Sequence, residues 1–169
     1  KGCLKRTVTQ NLYSPISSML VKERIKMDFF AKTFSELSNT ELYEILKSRY
    51  EIFTIEQNII YQDMDDVDRD ALHCFFSENG RVIGYLRAYR GDAGITKIGR
   101  VLSIEHGKGI GKMLMQKSLP IIKEHFGEDL IALNSQSHAI GFYERFGFKT
   151  VSEEFIEAGV PHVKMELKL

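Results

Sequence analysis

Two hydrophobic periods alternate along this chain, and the changes between them predict its elements. Runs rich in β-branched and aromatic residues with turn residues at their ends predict strands, whereas apolar residues three and four apart predict helices. The predicted strands lie at 27–33, 72–78, 81–89, 98–104, 130–134, 149–156 and 162–168. The predicted helices lie at 38–53, 112–125 and 139–146. This order indicates an α+β fold of mostly antiparallel strands with one strand–helix–strand crossover.

Local signals mark where several of these elements begin and end. A capping box at 38–41 begins the first helix. An Asn-Gly pair at 79–80 predicts a tight hairpin between two strands. Pro120 lies inside the second helix and predicts a kink or an early end. Gly127 and Gly147 are expected to close the second and third helices.

The charge balance divides the chain into two parts. The 23 basic and 23 acidic residues cancel, but residues 1–26 hold six of the former and one of the latter. We expect 1–26 to be a basic extension that is partly added in cloning or poorly ordered, with a transit-like segment as the alternative, and the native chain to begin at Met27. Residues 27–169 are predicted to form a single, mildly acidic domain. That charge argues against nucleic acid as a partner and favours a cationic substrate such as an amine.

Cysteines and acidic residues give no metal signal. The two cysteines lack metal-ligand spacing. They also do not predict a disulfide framework, which indicates a reducing compartment, the cytoplasm by default. No apolar run is long enough for a membrane span. An acidic cluster could suggest calcium, but Asp68 and Cys74 stand where an EF-hand loop needs Gly and Glu. The cluster is therefore expected to be a solvated acidic loop, or an electrostatic lure for amines; its members are Asp63, Asp65, Asp66, Asp68 and Asp70.

A glycine-rich loop from His106 to Gly111 stands between the strand at 98–104 and the helix at 112–125. Glycines at such a junction leave backbone N–H groups uncovered at the positive end of a helix, which is an anion site, most often for phosphate. Met113 follows Lys112 where a Walker A loop needs Ser or Thr, and the third glycine of a dinucleotide loop is missing. A plain glycine-rich connection is the alternative to a phosphate site.

A second motif follows the loop and carries a family resemblance. It is written Gln136-x-x-Ala139-x-x-Phe142-Tyr143-x-x-x-Gly147-Phe148. With the loop before it, this segment resembles the acyl-CoA-binding motifs of the GNAT acetyltransferases, in which Asn is usual where Gln136 stands. A finer similarity to the ElaA-type branch rests on Arg49-x-x-x-Phe53-x-x-Glu56-Gln57-x-x-x-Tyr61-x-Asp63-x-Asp65 and on Gly159-x-Pro161-His162.

The resemblance implies the GNAT acyltransferase fold, with a mixed sheet flanked by helices and a splayed strand pair that receives acetyl-CoA. It implies that loop N–H groups hold the pyrophosphate; these belong to Gly107, Lys108, Gly109, Ile110, Gly111 and Lys112. It also implies further cofactor contacts at Val101, Leu102, Ser103, Asn134 and Gln136. Two departures from the pattern stand out. His106 replaces the usual Arg or Gln, and the stretch between Arg100 and the loop is about two residues short.

The same resemblance assigns a general acid but no general base. Tyr143 occupies the position of the acid that protonates the leaving thiolate; a core aromatic is the alternative. Glu56 is our first choice of base, with hydrogen bonding to Arg49 or to nearby backbone as the alternative. His73 and His162 are further candidates, because the ordinary pKa of histidine suits a base, and a base acting through water would leave no trace. Arg49, Asp63 and His162 are expected to bind substrate.

The sequence thus predicts an N-acetyltransferase that moves an acetyl group from acetyl-CoA to a primary amine by direct attack in a ternary complex. A non-catalytic acyl-CoA-sensing domain is a second hypothesis, supported by the two loop departures. An acyl-homoserine-lactone-type synthase is a third, because the Arg49-x-x-x-Phe53 segment resembles that related fold. The superfamily resemblance also makes a homodimer an expectation. No metal is expected.

Overall fold

An eight-stranded sheet organises the part of the chain that this computed structural model describes, residues 27–169. Its strands are β1 (Met27–Thr33), β2 (Leu72–Glu78), β3 (Arg81–Arg90), β4 (Thr96–Ser103), β5 (Leu130–Gln136), β6 (Lys149–Thr150), β7 (Phe155–Glu157) and β8 (Val160–Lys168). They follow the order β1-β2-β3-β4-β5-β8-β6, and β7 pairs with β8. Only β4 and β5 pair in parallel among these strands. The predicted strand arrangement is confirmed, while the extension predicted for 1–26 lies outside the described residues.

Within residues 27–169, three α-helices cover the sheet and join its strands. They are α1 (Asn39–Arg49), α2 (Ile110–Phe126) and α3 (Ile140–Glu144). The capping box predicted for α1 is present, because the Ser38 hydroxyl accepts from the Glu41 N–H at 3.2 Å and Glu41 accepts from the Ser38 N–H at 2.9 Å. Beyond Arg49 the helix widens into a π-helical segment, Tyr50–Glu56. Such widened turns are rare and concentrate at functional sites.

The hairpin between β2 and β3 forms at the predicted Asn-Gly pair. Asn79 and Gly80 have φ angles of 51° and 79°, the left-handed conformation that a two-residue turn of this kind requires. The two strands then pair in antiparallel register from Glu78 with Arg81. This hairpin places Tyr85 and Arg87 on the stretch of β3 beside β4, where the site described below is built.

The expectation that Pro120 ends α2 early is wrong, because the helix runs unbroken to Phe126. Buried residues continue at helical spacing on both sides of the proline, with Met115 before it and Ile122 and Phe126 after it. That packing anchors the second half of the helix and offsets the hydrogen bond that proline cannot donate. Gly127 then closes the helix with a φ of 73°, as predicted, and its N–H donates to the Lys123 carbonyl at 2.8 Å.

The single strand predicted at 149–156 is also wrong, because it is two short pieces, β6 and β7. The Val151 N–H still donates to the Lys164 carbonyl at 2.9 Å. The Ser152 hydroxyl then accepts from the Lys164 N–H at 2.8 Å, which is the donor that a continuing strand would use. The side chain thereby ends the pairing of β6 and lets the chain leave β8 before it returns as β7.

Two apolar clusters lie on opposite faces of the sheet. One packs α2 against the sheet through residues such as Leu86, Leu114 and Met165. The other packs α1 and the π-helical segment through Ile45, Phe53 and Tyr85. The helices formed by residues 27–169 include none that is long and apolar enough to cross a membrane.

Candidate active site

The parallel pair β4 and β5 opens into a cavity. The two strands are in register only at Thr96 with Ile131 and at Lys97 with Ala132. Beyond these two pairs they separate, and a cavity of about 640 Å³ is lined by residues of both strands, including Gly99 and Leu133. The splayed strand pair expected from the resemblance is therefore present. It leaves the facing edges of β4 and β5 without strand partners along the cavity.

A β-bulge in β4 shapes one wall of this cavity. The register between β3 and β4 shifts between Tyr85 and Arg87, so that β4 holds one residue more than β3 there. Arg100 has a φ of 56°, a conformation that side-chain-bearing residues rarely adopt. Bulges of this kind re-aim side chains and end pairing beside active sites. Val101 lines the cavity beside Arg100, whereas Leu102 is buried in the core.

The glycine loop leads into α2 with its donors uncovered. Gly107 and Gly109 have φ angles of 77° and 76°, and a Cβ atom added to either would meet nothing within 4 Å. Among residues 27–169, no backbone oxygen accepts from the N–H groups of 107–112. Free N–H groups at the positive end of a 17-residue helix form a site for an anion. The Ser103 hydroxyl donates to the Glu105 carbonyl at 3.1 Å and so belongs to the turn before this loop.

A second cavity of about 320 Å³ adjoins the start of α2. It is lined by Lys112, Gln116, Phe142, Arg145 and Phe146. Two cationic side chains and two aromatic rings thus surround a space beside the free N–H groups. Lys108, by contrast, is paired with Glu105 at 2.9 Å on the outside of the loop.

The unusual histidine of the loop is paired with the first-choice base. His106 Nε2 lies 3.0 Å and 3.1 Å from the two carboxylate oxygens of Glu56, which ends the π-helical segment. Both side chains are exposed, and neither residue lines the cavity. The expectation that Glu56 acts on a substrate in the cavity is therefore not supported by its position. Glu56 faces the anion-binding loop instead.

Tyr143 lies where the cavity meets the core. Its ring packs edge-on against Phe142 and Phe148, with ring centres 5.0 Å and 6.0 Å away. The residue also lines the cavity, and its hydroxyl makes no hydrogen bond within residues 27–169. Burial raises the pKa of Tyr143 well above its usual range, so the hydroxyl keeps its proton at neutral pH. The core-aromatic interpretation and the functional one are thus both compatible with its environment.

The two β5 residues predicted to contact cofactor both line the cavity. Asn134 Nδ2 donates to Glu157 Oε2 at 2.7 Å. Gln136 Nε2 donates to Gln57 Oε1 at 3.0 Å, which joins β5 to the end of the π-helical segment. These contacts bring two further residues into the cavity wall, Gln57, to which the sequence assigned no role, and Glu157, which we did not single out.

The histidine candidates differ in access. His73 is fully buried, with Nδ1 2.8 Å from the Tyr85 hydroxyl and Nε2 2.9 Å from the Asp68 carbonyl. Both ring nitrogens are therefore occupied by hydrogen bonds. The suggestion that His73 acts as the general base is wrong. His162 lines the cavity, stacks on Phe155 and places Nδ1 2.8 Å from the Val160 carbonyl. A carbonyl only accepts, so Nδ1 carries the proton of the neutral ring and Nε2 is left as the acceptor.

The predicted acidic loop is largely a buried ion-pair network. Arg49 is fully buried and binds Asp63 at 2.9 Å and Asp68 at 2.8 Å. Arg87 binds both oxygens of Asp65, at 2.5 Å and 2.8 Å. Three guanidinium groups thus neutralise three carboxylates, since Arg100 also binds Asp63 at 2.7 Å.

This network corrects two of the expectations above. Arg49 has no exposed surface and neither it nor Asp63 lines the cavity, so the structure argues against direct substrate contact by this pair. The guanidinium groups lower the pKa of Asp63 and Asp65, against the opposing effect of burial, and keep both carboxylates charged. The solvated-loop interpretation holds only for Asp66, with an exposed side chain, and for Asp70. Residues 27–169 contain no group of three or more His, Cys, Asp or Glu side chains placed to hold a metal ion.

One sequence signal could have indicated this network. Arg87 interrupts an otherwise apolar strand, and a charge buried in a strand requires a partner. Its partners lie about twenty residues away along the chain, so the sequence alone does not identify them.

Comparisons with known proteins agree with this geometry. The profile of the Acetyltransferase (GNAT) domain matches residues 31–169. The protein ElaA of Escherichia coli is 36% identical over 137 residues, which are 78% of this chain and 90% of ElaA. The crystal structure of ElaA superposes with a TM-score of 0.79 at 34% identity, covering 85% of this chain and all of ElaA.

Two further solved structures share the fold. An acyl-CoA N-acyltransferase from Pseudomonas aeruginosa has a TM-score of 0.79 and 32% identity, with 84% of this chain and 99% of that one covered. The CoA-dependent acyl-homoserine lactone synthase BjaI, solved with SAM and isopentyl-CoA, has a TM-score of 0.65 at 16% identity over 85% of this chain and 83% of its own. This last likeness is one of fold alone. The chain therefore belongs to the GNAT acetyltransferase family, is similar to ElaA, and has the GNAT acyl-CoA N-acyltransferase fold.

Proposed function

We propose that this protein transfers an acetyl group from acetyl-CoA to a primary amine of a small molecule or peptide, by direct attack within a ternary complex. The observation that carries the proposal is the unpartnered Tyr143 hydroxyl on the wall of the cavity between β4 and β5. Strand β4 forms one wall of that cavity, and its C-terminal end continues into the glycine loop with its free N–H groups. A proton donor thus lies in the cavity beside β4, and an anion site lies in the loop that follows β4.

The residues present fit coenzyme A. The uncovered N–H groups of 107–112 suit a pyrophosphate, and the absence of side chains on Gly107 and Gly109 leaves space for it. The unpaired edge of β4 from Val101 to Ser103 offers backbone groups to an extended, amide-bearing arm, as an added strand would use. Lys112 and Arg145 supply cations for a further phosphate in the cavity that also holds Phe142 and Phe146.

The protein groups divide the proton transfers between them. Acetyl-CoA, when bound, supplies the acetyl thioester. A backbone N–H at the β4 edge donates a hydrogen bond to the acyl oxygen. The Tyr143 hydroxyl holds its proton at neutral pH and delivers it to the departing sulfur.

We assign the general base to His162 rather than to Glu56. The His162 ring is fixed by the Val160 carbonyl and by stacking on Phe155, which leaves Nε2 free to accept a proton in the cavity. Glu56 lies outside the cavity lining and is paired with His106. Fixing one ring nitrogen to set the role of the other is a common feature of catalytic histidines.

Direct attack is favoured over a covalent acyl-enzyme. Cys74 is fully buried, and burial raises the pKa of its thiol to about 12, so it holds no thiolate at neutral pH. Among residues 27–169 there is no other cysteine.

Three expectations from the sequence stay predictions. They are the homodimer, the reducing compartment and the single-domain boundary at Met27.

Release of the CoA thiol, measured against a panel of primary amines, amino sugars and peptides, tests the proposal. Thiol release with at least one acceptor, together with a product heavier by one acetyl group, is expected. Binding of acetyl-CoA with no acceptor turned over would instead support the acyl-CoA-sensing hypothesis. A flat calorimetric titration with acetyl-CoA contradicts both. Thiol release from a longer acyl-CoA with S-adenosylmethionine alone would favour the lactone-synthase hypothesis.

A further inference from the structure

The hairpin of β7 and β8 brings a carboxylate to the wall of the cavity between β4 and β5. Glu157 ends β7, and the turn to β8 uses Ala158 and Gly159 with φ angles of 49° and 80°. Strand β8 lies between β7 and β5, yet Glu157 reaches Asn134 on β5 at 2.7 Å. The hairpin end therefore curls back over the sheet, and Glu157 lines the cavity.

Glu157 carries the uncompensated negative charge of this wall. Only Asp65 and Glu157 bring carboxylates to the lining of the cavity in the described part of the chain. Asp65 is neutralised by Arg87, which binds both of its oxygens. Glu157 has no cationic partner within residues 27–169, and its one hydrogen bond, from Asn134, leaves Oε1 without a donor.

The cations on the wall do not neutralise Glu157. Lys164 is paired with Glu166 at 2.7 Å. Lys97 lies at the closed end of the splay, beside Ala132, where its side chain runs along Gly91. Glu157 is therefore free to receive a charge from outside the protein.

The chemistry of acetyl transfer indicates which cationic group of the acceptor Glu157 can bind. A carboxylate beside the reacting nitrogen would favour the protonated amine, which cannot attack a thioester. A carboxylate near a second, non-reacting cation has no such cost, and it contributes binding and orientation. The Asn134 amide fixes the position of Glu157 and favours this second use.

We propose that the acceptor is a dicationic amine, and that Glu157 binds its non-reacting cationic group while the other amine is acetylated. This inference rests on the proposed function for the reacting end alone. Glu157 is a specificity-determining residue here, and Asn134 positions it. A diamine, a polyamine or a basic amino compound has the required chemistry.

Calorimetric titration with putrescine and with butylamine tests this inference, because the two share a four-carbon chain and differ in the second amine. Each is titrated into the full chain, and thiol release from acetyl-CoA is followed in parallel. We expect putrescine to bind about threefold more tightly than butylamine, the effect of one ion pair to the exposed Glu157 carboxylate. The Glu157→Gln variant keeps the shape and the Asn134 contact, and it should lose most of that preference while butylamine binding stays unchanged.

The matched control is Glu154→Gln. Glu154 lies on the same segment and accepts from the Ser137 hydroxyl at 2.6 Å, but it does not line the cavity. This variant should bind both amines as the unaltered protein does. Equal binding of the two amines, or a preference that survives in Glu157→Gln, overturns the inference. A Glu157-dependent binding preference without thiol release supports it and counts against the proposed transferase activity instead.

Discussion

At the scale of single residues, the proposed transfer depends most directly on Tyr143. Removing only its hydroxyl leaves the packing of the ring against Phe142 and Phe148 in place. We expect Tyr143→Phe to lower kcat by about a hundredfold, the size of effect usual for a lost general acid. The binding of acetyl-CoA should stay unchanged, which calorimetry checks alongside thiol release. An unchanged kcat would return Tyr143 to the role of a core aromatic.

Glu56 allows a second residue-scale prediction, on affinity rather than rate. Its carboxylate lies against His106, one residue before the Gly107 N–H that faces the expected pyrophosphate. A negative charge there opposes the binding of a polyanion. Glu56→Gln should therefore tighten CoA binding about threefold at low salt, and the gain should shrink at high salt because exposed charges are screened.

The control for this effect is Glu51→Gln, on the same π-helical segment. Glu51 is paired with Arg81, away from the loop. It should leave the CoA affinity and its salt dependence unchanged. Weaker CoA binding in Glu56→Gln would mean that Glu56 orders the loop rather than repelling the ligand.

At the scale of elements, the ion-pair network holds the bulged strand β4 to α1. Asp63 receives Arg49 from α1 and Arg100 from the bulge, so one carboxylate joins two elements. Asp63→Asn leaves two guanidinium groups without this charge, and we expect it to lower the free energy of unfolding by about 3 kcal/mol. Urea denaturation measures the change. Asp66→Asn, whose side chain is exposed, is the control and should unfold as the unaltered protein does.

A glycine of the loop gives another element-scale prediction, separating backbone strain from steric clash. A Cβ at Gly109 would meet nothing within 4 Å, so the cost of Gly109→Ala comes from its φ of 76° alone. We expect a loss of about 1–2 kcal/mol in unfolding free energy and weaker CoA binding. Gly141→Ala, in α3 with equally open space, should be neutral or slightly stabilising. Equal effects of the two substitutions would contradict the argument from backbone conformation.

The elements also show what sequence can predict. The capping box at 38–41, the Asn-Gly turn at 79–80 and the glycine loop are local, because each sets the conformation of its own few residues. The bulge at Arg100 and the partners of Arg49 are not local. They depend on pairing between segments that meet only in the folded chain, as Arg100 meets Asp63 across 37 residues. Glu157 could not be identified from the sequence for the same reason. Its position on the cavity wall depends on the hairpin that curls toward Asn134.

At the scale of the whole molecule, charges inside residues 27–169 are compensated pairwise, as Arg49, Arg87 and Arg100 are by the aspartates they bind. The mild acidity of residues 27–169 is therefore a poor guide to the site, because three aspartates of the acidic segment are neutralised by arginines. On the cavity wall formed by residues 27–169, the carboxylate without a cationic partner is that of Glu157, where we propose that the acceptor binds. The net charge of residues 27–169 indicates a cationic partner. The pattern of ion pairs indicates which carboxylate is available to bind it.

The stability of the whole domain should depend on pH through His73, which holds together Tyr85 and the segment before β2. Burial lowers the pKa of His73 below its ordinary value of 6.5. As the pH falls below 6.5, His73 binds a proton in the unfolded chain but stays neutral in the folded chain. The free energy of unfolding therefore decreases between pH 6.5 and the lower pKa that His73 has in the folded chain. The carboxylates of Asp63 and Asp65, with lowered pKa values, add a second loss only below about pH 4.

Urea denaturation between pH 7.5 and 5 isolates the histidine effect, because the aspartates stay charged across that range. We expect the free energy of unfolding to fall toward the acid end with a slope of at most about 1.4 kcal/mol per pH unit. His73→Gln changes the absolute stability, but it removes the titrating group, so its slope should be close to zero. The exposed His138 provides the matched variant, and His138→Gln should keep the slope of the unaltered protein. If His73→Gln retains that slope, the acid sensitivity has another source, and the buried ring is not the group that resists protonation.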